Sequence, residues 1–253
     1  MTFGSNVAGK AQGEMRAEIR ATAPTMLRGS LFEVIPSGRP LGAEVCNVDV
    51  RAFDDWAFAA LMRALLKHQV LLVRGQTLGE HDVAPLRRRL GQASVLLSPA
   101  TALGTTSSFS SLYAIYDALP PALRRRIANL KIRHLVPNEN DVARYVGATD
   151  EIAIDTTVQP LVGIHPDTGR SMLHLGERRH ASLVGVEAAE SNALLDELWQ
   201  FAARLEFAWQ CTCKPGDLLI WDPRSTMYRQ TPEVAAHPRL LHRAEIWSSI
   251  SLS

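Results

Sequence analysis

Arg239 and Arg243 stand four residues apart in a run, 239–248, that reads as a strand, so both side chains fall on one face. A planar guanidinium that keeps its charge when desolvated suits bidentate hydrogen bonding to a carboxylate. The pair therefore points to a pocket for a small acid, unless it only neutralises acidic neighbours such as Asp222 or Glu245. Tyr228 lies just upstream, in the stretch running from Gly216 to Arg229. Its phenol could pass a proton to or from such an acid, or its ring could fill space with one hydroxyl to satisfy. His242, between the arginines, and His174, in an apolar segment, are the other acid–base candidates. A single histidine in an apolar strand also serves as an ordinary core residue.

Metal-binding patterns are scarce. His165-Pro166-Asp167 is the one His-x-Asp, but Pro166 and Gly169 make it a turn. Cys211 and Cys213 alternate along a strand and share a face. They would suit a soft metal if a second ligand pair faced them; none is visible, so they read as buried structural thiols. His81-Asp82 reads as a solvated helix start.

The elements that must carry these residues alternate. Strands are expected over 31–34, 43–48, 70–73, 93–97, 131–135, 172–175, 207–213, 217–222 and 239–248. Phe58, Leu61, Leu65 and Leu66 make an amphipathic helix of 54–67 with Asp54 as its N-cap. Further helices are expected over 80–90, 110–119, 121–128 and 187–205. Residues 138–155 show little periodicity and read as a mobile loop. Residues 1–30, rich in small and charged residues, read as a flexible arm, and 31–253 as one domain.

Several segments, in chain order, carry a resemblance. They are Phe32 to Phe53, with Pro40-Leu41-Gly42-Ala43-Glu44-Val45; Leu65 to Gln76; Tyr113 to Pro120; His165 to Arg170; and Gly216-Asp217 through Trp221-Asp222-Pro223-Arg224 to Tyr228, followed by Arg239 and Arg243. Together they resemble the TauD/TfdA family of iron- and 2-oxoglutarate-dependent dioxygenases. The resemblance implies an α+β fold, a double-stranded β-helix or jelly roll flanked by helices, with the ligand cavity between its two sheets. It implies that Arg239 grips the distal carboxylate of 2-oxoglutarate, that Arg243 meets an acidic group of the substrate, and that Ser107 or Thr106 donates a hydrogen bond to the oxo acid. It also implies a distal histidine ligand where this chain has Tyr228. A His-x-Asp or His-x-Glu pair belongs to a segment that the text from Arg88 to Ser107 does not contain. His174 replaces an aromatic residue on a strand that would face the cavity. On this reading the iron ligands are gone and no cofactor is expected; iron is not expected to bind, while a carboxylate resembling 2-oxoglutarate still fits.

Charge and composition narrow the classes. With 27 basic against 26 acidic side chains, and basic blocks only at Arg87–Arg89 and Arg124–Arg126, nothing calls for nucleic acid. No apolar run reaches bilayer length, and three cysteines without a paired framework fit a reducing cytoplasm. The arm is compatible with exchange onto a neighbouring subunit of a homo-oligomer. Three functions remain open. The first is a repurposed, metal-independent enzyme of specialised metabolism that cyclises, eliminates or isomerises a small carboxylate, using Tyr228, His242 or His174. The second is a pseudoenzyme or binding subunit, and the third an oxygenase with a rearranged metal site.

Overall fold

In the computed structural model, which describes residues 32–98, 106–136, 155–176 and 178–230, a five-stranded sheet runs in the order β1 (Glu33–Pro36), β2 (Ala43–Cys46), β3 (Val70–Val73), β12 (Leu218–Trp221), β4 (Ser94–Leu97). All four residues of β3 are fully buried, as a strand covered on both faces requires, which is why it reads as an unbroken apolar run rather than an alternating one. Leu71 and Val73, with Leu218 and Ile220, join the apolar stripes of α1 (Asp55–His68) and α2 (Glu80–Leu90) on the outer side. Val70, Leu72 and Leu219 turn inward. Burying one such leucine contributes roughly 2 kcal/mol.

α1 begins as its sequence predicts: Asp54 Oδ1 accepts the Ala57 N–H at 2.7 Å. It ends on Gln69, a non-glycine residue at φ 65°. Three bonds hold that conformation. The Gln69 N–H donates to the Leu65 carbonyl at 2.6 Å, its carbonyl accepts the Asp222 N–H at 3.0 Å, and its Oε1 accepts the Ser111 hydroxyl at 2.9 Å.

Facing the large sheet is a ribbon of three antiparallel strands in the order β11 (Ala208–Thr212), β5 (Thr106–Ser111), β13 (Thr226–Gln230). Register places Trp209, Phe109 and Tyr228 side by side in one row, and Cys211 beside Ser107 in the next. This row and the inner face of the large sheet share one apolar cluster, with Leu41, Val70, Leu72, Phe109, Cys211, Cys213 and Leu219 at its centre. A jelly roll needs such a two-sheet sandwich around its cavity.

β5 departs from expectation. Residues 110–119 read as one helix, yet 106–111 form a strand and the helix α3 (Leu112–Ala118) starts only after Ser111, whose Oγ accepts the Ala114 N–H. Thr-Ser-Ser-Phe-Ser-Ser has little strand character of its own, and pairing on both edges, to β11 and β13, decides the matter.

The remaining elements make a second layer. Helices α3, α4 (Pro121–Ile127) and α5 (Ala188–Ala202) pack with the sheet β10 (Ala181–Leu183), β6 (Lys131–Val136), β7 (Asp155–Pro160) and with the hairpin β8 (Val162–Ile164), β9 (Ser171–Leu173) around one further apolar cluster. β7, β8, β10 and β13 were not expected from the sequence; β8 and β10 are three residues long, and residues 157–160 of β7 are largely exposed, with little alternation to mark them. Among the described residues no helix is long and apolar enough to cross a membrane. The arm of residues 1–30, the strand of 239–248 and, apart from Asp155, the loop of 138–155 lie outside the described residues.

Candidate functional site

The site is built at the corner where β12 leaves the large sheet and β13 enters the ribbon. Asp222, 3% exposed, organises it. Its carboxylate accepts hydrogen bonds from the backbone N–H and Nε of Arg224 at 2.9 Å and from Arg224 Nη2 at 2.7 Å. It also meets Nε2 of His165, itself 1% exposed, at 2.9 Å. His165 Nδ1 accepts the Asp167 N–H at 3.2 Å, which leaves the proton on Nε2 for donation to Asp222. Arg224 Nη2 reaches Asp167 as well, at 2.7 Å. Burial pushes the Asp222 carboxyl up, but the bonds from His165 and Arg224 outweigh it and hold the pKa at about 2. The Thr226 hydroxyl donates to the Asp222 carbonyl at 2.8 Å, and the Leu112 N–H to the Ser225 carbonyl at 2.9 Å, so the chain enters β13 at a fixed angle.

The His-Pro-Asp turn is therefore a turn, as its Pro and Gly indicate, but His165 also pins the β8–β9 hairpin to this corner. Sequence reasoning left His165 and Arg224 out of the site. His165 and Asp222 lie 57 residues apart, and no local periodicity joins them. The available signal was that each sits in a turn rich in charged and hydrogen-bonding residues.

β13 delivers Tyr228 into the sandwich. Its ring lies 5.0 Å from that of Trp221 and 5.0 Å from that of Phe109, inclined 30° and 34° to them. Its hydroxyl is 3.5 Å from Ser107 Oγ. Ser107 is fully buried and shares its strand face with Phe109, whereas Thr106 alternates to the other face. Of the two hydroxyls considered, Ser107 is the one in the chamber. The Cys213 sulfur accepts hydrogen bonds from the Cys211 thiol and the Ser107 hydroxyl, which hold its pKa below the ordinary value, while donation to Cys213 and burial push Cys211 up.

The structure thus brings Tyr228 and Ser107 together. It sets His174 elsewhere: instead of facing the cavity, Nδ1 of His174 meets the Pro160 carbonyl at 2.7 Å, and its ring lies against Gly163 and near His134. The residue follows the last residue of β9, where the chain turns away toward β6 and β7. Arg239, His242 and Arg243 lie outside the described residues. Asp222, one proposed neutraliser of those arginines, already has Arg224 as partner.

A model of the "Taurine catabolism dioxygenase TauD, TfdA family" matches residues 92–244, which contain both the corner and the Tyr228 row. The chain belongs to the TauD/TfdA family. Among its relatives, an (S)-phenoxypropionate/α-ketoglutarate dioxygenase of Sphingobium herbicidovorans is 31% identical over 85% of this chain and 94% of its own length. The enzyme of that name from Delftia acidovorans is 27% identical over 85% and 96%. In fold, the chain is similar to AAD-2, solved with Mn(II) and N-oxalylglycine, with a TM-score of 0.74 at 22% identity over 84% of this chain and 95% of that one. The fold is the jelly roll of TauD-like dioxygenases, in a mixed α+β setting.

These comparisons overturn the expectation that no cofactor is needed. The relatives are named for their use of α-ketoglutarate, and AAD-2 was solved in complex with Mn(II) and N-oxalylglycine. A missing motif in one segment is weaker ground than likeness along the whole chain. The described residues nevertheless do not make the metal centre by themselves: among them no group of three or more histidine, cysteine, aspartate or glutamate side chains could hold an ion, whereas a two-histidine, one-carboxylate triad needs three.

Proposed function

We propose that this TauD/TfdA protein binds a small carboxylate-bearing molecule in the chamber between the ribbon and the large sheet, and that Tyr228 moves a proton on it in a cyclisation, elimination or isomerisation. The observation that carries this reading is the placement of Tyr228. Its ring packs against Phe109 and Trp221, which also touch each other, and its hydroxyl borders buried Ser107, on the inner face of the sandwich. A phenol fixed by ring stacking keeps one orientation toward a bound ligand, which positions it for proton transfer. Ser107 hydrogen-bonds the acid or orients the phenol, Arg239 and Arg243 supply the charge that holds the carboxylate, and His242 is the second acid–base group.

Two other readings have an observation each. The names of the relatives favour an iron- and 2-oxoglutarate-dependent oxygenase whose donors come from outside the described residues. The stacking of Tyr228 also fits a plug in a binding subunit without turnover.

One experiment separates the three. Full-length protein is incubated anaerobically with Fe(II) and 2-oxoglutarate, the metal-to-oxo-acid charge-transfer absorption is recorded, and oxygen is admitted while 2-oxoglutarate is followed. Tight iron, the band and consumption of the oxo acid establish the oxygenase and sink the proton-transfer reading. Without them, thermal stabilisation by small carboxylates, followed by turnover that Tyr228→Phe abolishes, supports it. Stabilisation without turnover leaves the binding subunit.

A further inference from the structure

The turn joining β8 to β9 holds more than its own hairpin. It closes on itself, the His165 N–H donating to the Arg170 carbonyl and the Gly169 N–H to the His165 carbonyl, each at 2.9 Å. Two grips leave it in different directions. Toward the corner, His165 meets Asp222 at 2.9 Å and Asp167 takes Arg224 at 2.7 Å. Toward α3, Thr168 Oγ1 is 2.9 Å from the Tyr113 hydroxyl, and Arg170 lies 4.2 Å over the Tyr113 ring while pairing with Asp117 at 3.0 Å. The Tyr113 ring stands edge-on to His165, with centroids 5.8 Å apart, and each of the two residues is 1% exposed. The grips therefore meet inside the packed interior.

α3 continues β5 without a loop, and the corner continues into β13. Those two strands carry Ser107 and Tyr228. Their ladder begins where Thr226 stands opposite Ser111, next to the bond from the Leu112 N–H to the Ser225 carbonyl. One short turn thus holds both strands at the end from which the chamber is built, and Tyr228 follows Thr226 by two residues, about 7 Å. The 3.5 Å contact with Ser107 is too long to fix the phenol by itself. Its oxygen is placed by the angle at which β13 leaves the corner and by the ring of Trp221, the residue before Asp222. We propose that the β8–β9 turn sets the orientation of the Tyr228 phenol, with His165, acting through Asp222, and Thr168, acting through Tyr113, as positioning residues. The assignment rests on the reading of Tyr228 as the proton-transfer group. A displacement of about 1 Å in such a group costs on the order of 100-fold in rate, so the turn governs the chamber without touching a ligand.

The test reads the ring directly. Full-length protein is labelled with fluorotyrosine, and the fluorine resonance of Tyr228 is assigned as the one that Tyr228→Phe removes. His165→Leu takes the donor from Asp222, and Thr168→Val takes the hydroxyl partner from Tyr113. In both, well below the melting transition, the Tyr228 resonance is expected to shift or broaden. His165→Gln, whose amide N–H stands in for the imidazole Nε2 donor, returns it to the wild-type position. Val34→Ala, a buried change in the cluster around α1, lowers stability without reaching the turn and leaves the resonance in place, which separates positioning from loss of stability. Thr168→Val carries the test if His165→Leu does not fold. No ligand is present, so failure of the proton-transfer reading shows in the iron and turnover experiment and not here. Where turnover is found, His165→Leu and Thr168→Val lower kcat on the order of 100-fold at unchanged KM. An unmoved resonance in folded His165→Leu or in Thr168→Val, a shift that His165→Gln does not reverse, or an equal shift in Val34→Ala overturns the proposal.

Discussion

The corner at Asp222 and the floor under Tyr228 lie a few residues apart along the chain and are built on opposite plans. At the corner a buried carboxylate meets a guanidinium and an imidazole through several short bonds, none longer than 2.9 Å. On the floor, neutral hydroxyls meet beside buried thiols, the Ser107–Tyr228 oxygen–oxygen contact being 3.5 Å. Charged groups removed from water must be fully paired, and such pairing leaves one arrangement only. Neutral groups joined by weak bonds can exchange partners at small cost. The corner is thus suited to hold the fold and the floor to accept a ligand.

That contrast predicts a graded set of effects. Asp222→Ala leaves Arg224 and His165 without their shared partner and should cost about 3–5 kcal/mol, read as a shift of the urea midpoint. A loss below about 1 kcal/mol, the scale of one neutral hydrogen bond, would erase the distinction between the two regions. Acid sharpens the same point. The Asp222 pKa falls from 3.8 to about 2 on folding, so its contribution is complete above 3.8 and disappears as pH drops through about 2. It amounts to roughly 2 kcal/mol. The stability gap between wild type and Asp222→Asn, followed from about pH 5 to about pH 2, should close along that course.

A third locality tests whether the second layer behaves like either. Burial lowers the pKa of both His134 and His174 from 6.5. Because the unfolded chain takes up these protons first, the stability the pair contributes is complete above 6.5 and lost as pH falls through the folded values. Melting temperature should therefore decline below 6.5, and His134→Gln should flatten the decline; an unchanged slope would remove that histidine from the account. The smallest effect on stability is expected from Tyr228→Phe, under about 1 kcal/mol, since the contact of its hydroxyl with Ser107, at 3.5 Å, is weak. Proton transfer or ligand stabilisation should suffer far more, and a variant with both intact would return Tyr228 to the role of filler.

Much of the large sheet was legible because local and global demands agree there. β3 and α2 fall at 70–73 and 80–90 as expected, and Asp54 caps α1. β5 was illegible because its identity comes from two partners about a hundred residues downstream. For the site, strand alternation correctly put Cys211 and Cys213 on one face, and Tyr228 reached the sandwich interior with Ser107 beside it. His174 was assigned by strand register, which fails where β9 stops at Leu173. The His165–Asp222 bond could not be read at all, since hydrogen-bonding partners across 57 residues leave no trace in spacing.

Gln69 gives the molecule its mechanical asymmetry. One residue, held at a backbone angle that side chains usually avoid, ties the end of α1 to Asp222 of the corner and to Ser111 at the end of β5. The two sheets are therefore riveted at this corner, like pages at a spine, while the opposite end, beside Ser107, is tied by the exposed Arg74–Thr212 contact at 3.4 Å. Amide exchange should accordingly be slower at Asp222 and Leu112 than along the Arg229 end of β13, which pairs with Ser108; the reverse order would place the hinge elsewhere.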